Sequence, residues 1–336
     1  MQKTLSSLAG AAVLLAGALL VACSSAQVRG DDSAIPGIGT SYSLADVARS
    51  GAAPKVWALM RLGSASRGRM LPAGGGDLFV DDFGSNAVEI LKNNRWRDGG
   101  TITDGTGAPD GNWFDANGLY VANYANTDIT QYNSTSLTFT YNAGMVDPVG
   151  VTTDSAGNVY EADYAYPEDN GFVNEYAQGA NKVIAHCAPG GAVESVAVDQ
   201  RGDVFVGYNS GSLGYITEYL RGLRNCRGIQ LSLPLGFIGG MVIDKEKNLV
   251  VCDQLSASVD IIAPPYRSIA HTVGSGYYDP FHVTINRSNN RAYVTDLGAH
   301  NVQVVSYPIG SPIATLGASN GLNLPSSAVD TNNYVP

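Results

Sequence analysis

One pattern recurs along this chain and limits its fold more than any other feature. Two or three alternating apolar residues run into an Asp or Asn, a short gap follows, and a second alternating stretch begins. The first copies are Leu78-Phe79-Val80-Asp81-Asp82, Leu119-Tyr120-Val121-Ala122-Asn123 and Val159-Tyr160-Glu161-Ala162-Asp163. The later ones are Val204-Phe205-Val206-Gly207-Tyr208, Leu249-Val250-Val251-Cys252-Asp253 and Ala292-Tyr293-Val294-Thr295-Asp296. Their closing positions, 82, 123, 163, 208, 253 and 296, are 41, 40, 45, 45 and 43 apart. A second anchor keeps step independently: Val88, Ile129, Val173, Ile216, Val259 and Val302 are 41, 44, 43, 43 and 43 apart. Two unlinked anchors with one period mark a structural repeat.

A third strand precedes each pair. Pro109-Asp110-Gly111 leads to Asp115, Pro148-Val149-Gly150 to Asp154, and Val193-Glu194-Ser195 to Asp199. Ile238-Gly239-Gly240 leads to Asp244, and Pro280-Phe281-His282 to Asn286. The segments 155–158, 200–203 and 245–248 that follow are hairpin turns, where Gly or Asn accepts positive φ and Asp or Asn bonds its own backbone. A fourth, weaker strand fits residues 182–186. Four strands in about 43 residues make one propeller blade. A lone blade exposes two apolar faces, so blades must stack around an axis, and closing the ring removes the raw edges. The spacing predicts an all-β, six-bladed β-propeller over residues 56–336. Pro325-Ser-Ser-Ala-Val329-Asp330 restarts the first strand before the sequence stops, so this tail is expected to pair with the first blade. A seven-bladed ring, in which the tail and residues 55–62 share a blade, is the alternative.

Composition agrees. Forty glycines, 18 tyrosines and a charged fraction of 15% suit many short strands joined by tight turns. A net charge of −10 with no block of Lys or Arg argues against a nucleic-acid partner.

The N-terminus carries a different signal. Lys3 precedes an apolar run over residues 8–22, too short to span a bilayer comfortably and suited to a secretory signal. It ends in Leu20-Val21-Ala22-Cys23, which resembles the lipobox of bacterial lipoproteins. That resemblance implies a signal peptide of residues 1–22 and a Cys23 lipidated on sulfur that becomes the first mature residue. Ser24 after the cysteine, by the same analogy, favours the outer membrane where a cell has one. A secreted protein cut nearby, with Cys23 incidental, is the alternative. Residues 23–55 read as a flexible tether.

The pattern Pro-x-Gly-Val-x-x-Asp, Gly-Asn-Val-Tyr, Ala-Asp resembles NHL-repeat propellers and the related gluconolactonase-like proteins, over roughly residues 60–336. The resemblance speaks for architecture, since one fold hosts many chemistries.

In a blade, the loop leading into strand one and the loop between strands two and three open on the same face. Asp110, Glu194 and His282 are therefore expected near the central channel, and Asp82, Asn123, Asp163, Asp253 and Asp296 on that same face. Carboxylates with an imidazole could hold a divalent cation such as calcium, with Asp110, Glu194 and His282 as metal candidates, or receive a cationic or polyol ligand. The competing reading is that each Asp caps its own turn. Glu161 stands where the other repeats have Val80, Val121, Val206, Val251 and Val294. A carboxylate there carries a raised pKa unless paired, as a general acid or base would. Export permits disulfides, and Cys187 and Cys226 fall in the outer regions of adjacent blades, while Cys252 falls within a strand as a buried thiol. The long gap at 164–172, with Pro167, Glu168, Asp169 and Asn170, is a candidate partner contact.

NHL-type lyases place several histidines at matching blade positions. Here His186, His271, His282 and His300 do not match, and the Glu, Asn and Asp set of the gluconolactonase-like enzymes does not map onto this chain. The expected function is a lipid-anchored binding or scaffold module of the cell envelope for protein or glycan ligands. The alternative is a metal-dependent lactonase-like or lyase-like enzyme on the acidic channel face.

Overall fold

The first repeat shows why the blades must stack. Leu78 and Val80 join a buried cluster with Tyr293, Val302 and Val304 of the last repeat. Phe79, one residue along and therefore on the opposite face, joins Leu119, Val121 and Tyr132 of the second. A strand buried on both sides needs a neighbour on each. The computed structural model describes residues 76–92, 95–165, 170–333 and 335. The expectations for residues 1–75 (signal peptide, lipidated Cys23, tether, and the propeller's start at 56) lie outside the described residues, as do Pro167, Glu168 and Asp169.

Six four-stranded antiparallel sheets form the propeller. Blade 1 contains β1 (Leu78–Asp82), β2 (Ala87–Lys92) and β3 (Arg97–Ile102). Blade 2 is β4 (Pro109–Asp115), β5 (Gly118–Asn123), β6 (Asp128–Asn133) and β7 (Ser136–Tyr141). Blade 3 is β8 (Pro148–Thr153), β9 (Val159–Asp163), β10 (Phe172–Tyr176) and β11 (Val183–Cys187). Blade 4 is β12 (Ala192–Val198), β13 (Val204–Ser210), β14 (Leu213–Tyr219) and β15 (Gly228–Gln230). Blade 5 is β16 (Ile238–Ile243), β17 (Leu249–Asp253), β18 (Ser258–Ile262) and β19 (His271–Thr272). Blade 6 is β20 (Pro280–Ile285), β21 (Arg291–Asp296), β22 (Asn301–Ser306) and β23 (Pro312–Leu316). The last strand, β24 (Pro325–Asp330), pairs with β1, Leu78 opposite Asp330 and Val80 opposite Ala328. The tail thus supplies the innermost strand of blade 1, and the ring has six blades and not seven.

Each innermost strand touches those of its two neighbours, closing a circuit β4, β8, β12, β16, β20, β24 around the axis. The outermost strands are the weak members. β15 is exposed along its length and β19 is reduced to two exposed residues, which is why the fourth strand carries so little apolar alternation. A disulfide joins Cys187 at the end of β11 to Cys226 in the loop before β15, Cα atoms 5.3 Å apart, and ties the rims of blades 3 and 4. Cys252 is a free buried thiol.

Candidate functional site

Every innermost strand carries a bulge at its start. The unpaired residue is Asp110 in β4, Val149 in β8, Glu194 in β12, Phe281 in β20 and Ser326 in β24, while β16 leaves both Gly239 and Gly240 unpaired. Bulges re-aim side chains and bend the strand. The residue after the bulge is pressed against the next blade: a Cβ on Gly111 would lie 2.5 Å from the carbonyl oxygen of Val149. Asp110 and Glu194 are therefore true equivalents. His282 is not; Phe281 holds their position, and His282 sits one residue further, level with Gly111, Gly150, Ser195 and Ser327. Among the described residues no group of three or more His, Cys, Asp or Glu is disposed to hold a metal, so Asp110, Glu194 and His282 are not assembled into one.

His282 belongs instead to a hydrogen-bonded chain at the seam of blades 6, 1 and 2. Ser327 Oγ donates to Asn112 Oδ1 at 2.9 Å, and Asn112 Nδ2 donates to Asp81 Oδ1 at 2.9 Å. The Ser327 proton being committed, its contact with His282 Nδ1 at 3.0 Å must be donated by the imidazole. The proton is thereby fixed on Nδ1, and Nε2 keeps its lone pair. Burial lowers the His282 pKa to about 4, so the ring is neutral at pH 7. Asp110, beside this chain, is 1% exposed and neither carboxyl oxygen has a hydrogen-bond partner. Burial holds its pKa well above the ordinary carboxylate value, and burial with the Asp110 and Asp82 charges does the same for Asp81. His282, Ser195, Met241 and Trp113 line a narrow cavity along the axis.

The acidic residues that close the second strands are committed to structure. Asp82 accepts the backbone N–H groups of Asn323 and Leu324, and Asp163 those of Val146 and Asp147. Asp253 accepts from Gly236, and Asp296 from Tyr278 and Asp279. In each case the carboxylate staples the loop leading into its own blade, and Ser85, Ala165, Ser256 and Ala299 add a turn bond to the same group. Asn123 does likewise for Gly107. All five of these residues therefore cap loops of the upper face. Blade 4 has Tyr208 at this place, and the next residue reaches the neighbouring blade instead. Asn209 clamps both the N–H and the carbonyl of Ile238 on blade 5, a role masked in the sequence by the one-residue offset.

Glu161 is fully buried in β9. Its Oε2 accepts from Asn174 Nδ2 at 2.9 Å, and Asn174 Oδ1 meets Nδ1 of the exposed His186 at 2.8 Å. Burial, and then the Asp163 carboxylate two residues along on the same face, push its pKa well above the ordinary value. Glu194 is buried with Asn209 Nδ2 3.4 Å from its Oε1.

Strand direction divides the loops between two faces. The 2–3 loops and the loops leading into strand one form the upper face; the 1–2 and 3–4 loops form the lower. Around the axis on the upper face, Phe83, Tyr124, Tyr164, Tyr208, Phe281 and Leu297 are buried in one continuous apolar cluster. Outside this plug Val146, Leu213, Leu255 and Tyr278, from blades 3 to 6, expose about half their surface, between 47% and 56%. Gln254 Nε2 donates to Asp279 Oδ1 at 2.7 Å and links the loops carrying Leu255 and Tyr278.

The lower face has the opposite character. Every Lys and Arg among the described residues lies in a lower loop or at the strand end beside one, and none lies in an upper loop. The sequence shows no basic block because the fold, and not the chain order, gathers these residues. The lower carboxylates largely turn inward. Asp115, Asp199, Asp244 and Asp330 are buried and accept N–H groups of their own turns.

No family model and no curated protein matches this chain. Among solved structures, a chain of a nidogen/laminin complex aligns with a TM-score of 0.60 at 16% identity, covering 77% of this chain and 98% of that one. A protein of unknown function from Bacteroides caccae aligns with a TM-score of 0.59 at 11% identity, covering 76% and 99%. Hydrazine synthase of Kuenenia stuttgartiensis aligns with a TM-score of 0.53 at 14% identity, covering 69% and 81%. Likeness at this identity establishes the fold alone.

Proposed function

We propose that this chain is an exported binding or scaffold module, lipid-anchored through Cys23 after removal of residues 1–22, that holds a protein or glycan partner on the upper face of its propeller. The tether of residues 23–55, the outer-membrane address and the NHL or gluconolactonase likeness belong to this reading. One observation carries it: Val146, Leu213, Leu255 and Tyr278 stand exposed around a plugged axis. The loops of Val146, Leu255 and Tyr278 are stapled by Asp163, Asp253 and Asp296, so these apolar groups are presented on a rigid frame. Preorganised apolar anchors with an aromatic among them are the usual core of a protein interface.

A photo-crosslinking residue placed at Tyr278 or Leu255 in the producing cell is expected to give a discrete adduct, while the same residue at rim position Thr315 gives none. Equal labelling at both places, or none at either, contradicts the reading. Loss of the membrane-bound fraction in Cys23→Ala tests the anchor separately.

The alternative, a metal-dependent lactonase-like or lyase-like enzyme, draws on Asp110, whose buried carboxyl lacks partners beside Asp81. A divalent ion such as calcium, retained in stoichiometric amount by the wild type and lost in Asp110→Asn, would favour it.

A further inference from the structure

We infer that the lower face of the propeller lies flat on an anionic lipid surface, its cations meeting the headgroups while Leu220 and Ile309 reach into the acyl boundary. Three observations on that face point the same way. The first is charge. Arg95, Arg221, Arg224, Arg227 and Arg267 are exposed in the 3–4 loops of blades 1, 4 and 5, and Arg97 is exposed at the start of β3. Lys245 and Arg287 stand exposed in the 1–2 loops of blades 5 and 6, whereas Arg201 is already paired with Asp199 and Asp203. Exposed carboxylates on the face, Asp98 and Glu246, are outnumbered; Asp115 and Asp199 cap turns, and Glu175 and Glu218 are half-buried. In a chain of net charge −10, with no Lys or Arg among its described upper loops, this separation gives the molecule a preferred way up above a negative surface.

The second is apolar tips. Leu220 is 56% exposed and shares its loop with Arg221, Arg224 and Arg227; Ile309 is 72% exposed at the tip of the 3–4 loop of blade 6. Trp96 sits half-buried between Arg95 and Arg97. Basic residues interleaved with protruding apolar ones suit a headgroup layer over hydrocarbon. A soluble polyanion would engage the cations and leave Leu220 and Ile309 without a role. The third is the course of the chain. β1 runs from the lower face to the upper, so the described chain begins at Gly76 on the lower side, and the segment that precedes it joins the propeller on the cationic face.

This surface is independent of the proposed anchor, with which it is consistent, and the test is chosen accordingly. The chain from Ser24, without signal peptide or lipid, is suitable because the described residues close the ring and core themselves. It is sedimented with vesicles of phosphatidylglycerol mixed with phosphatidylcholine, and with phosphatidylcholine alone. The expected result is binding to the mixed vesicles only, abolished by high salt and reduced at least about tenfold in Arg221→Glu/Arg224→Glu/Arg227→Glu. Leu220→Ser/Ile309→Ser should also weaken it, with thermal unfolding unchanged in both variants. No binding to the mixed vesicles, an unaffected triple variant, or capture by a soluble anionic polysaccharide with no vesicle binding would each overturn the inference. A Cys23 without lipid would end the anchored reading and leave this result standing.

Discussion

Glu161 occupies a position where the other five blades place Val, and the layers that meet there are apolar. A carboxyl in such a layer is either ionised without adequate solvation or protonated away from its solution preference. Burial and Asp163 raise its pKa, so the folded chain binds a proton that the unfolded chain releases above the ordinary glutamate value of about 4.5. Stability is therefore fully present below that value and falls as pH rises through the folded pKa. Glu161→Gln keeps an acceptor for Asn174 without the titration. It is expected to stabilise the protein at pH 7 by at least about 1 kcal/mol, with the gain vanishing near pH 4, as read by denaturant unfolding at both values. The anomaly was legible from the repeat; its partners were not. Asn174 comes from the next strand and Asp163 has the look of a capping residue, so their convergence needs the register.

Capping carboxylates stabilise their loops through hydrogen bonds. Asp296 accepts from Tyr278, Asp279 and Ala299 at 2.8, 2.9 and 3.2 Å. Asp296→Ala leaves these N–H groups without an acceptor and is expected to cost about 1–3 kcal/mol and to loosen the loop that presents Tyr278. Unchanged unfolding, with unchanged hydrogen exchange at Tyr278, would contradict the capping role.

At the level of elements, the ring depends on a strand from the far end of the chain. β24 buries all six of its residues, and Ser326 Oγ, besides reaching the Asp81 carbonyl, donates to Pro109 O on blade 2 at 2.8 Å. A chain ending at Leu324 leaves β1 with an open edge and β4 and β20 without a neighbour. It is expected to lose cooperative unfolding altogether, and a retained single transition near the wild-type midpoint would contradict closure by the tail. The second and third strands were legible because both faces are buried and their apolar alternation is dense. β15 and β19 were not, because an exposed outer strand needs no such pattern. The innermost strands were legible as segments, but their bulges were not, so His282 was grouped with Asp110 and Glu194 although Phe281 is their equivalent.

Over the whole molecule, strand direction gathers every described Lys and Arg on the lower side, with Leu220 and Ile309 among them, and the exposed apolar residues of blades 3 to 6 on the upper. Neither face is visible in the linear sequence, since the residues of each are spread over loops about 43 residues apart. Once the repeat assigns every loop to a side, however, the partition of Lys and Arg follows from the sequence alone. The axis separates the faces with a plug of buried aromatic side chains and the capped loops around it. Under the two proposals together, the propeller would be a spacer between a membrane below and a partner above.

Hydrogen exchange of the protein in its native membrane, compared with the purified unlipidated chain, reports on both faces in one experiment. The account predicts slowed exchange in the membrane at the upper loops 142–147 and 273–279 and at the lower loops 220–227 and 307–311, with the rim strands β15 and β19 unchanged. Slowing confined to the rim strands, or no difference on either face, would contradict it.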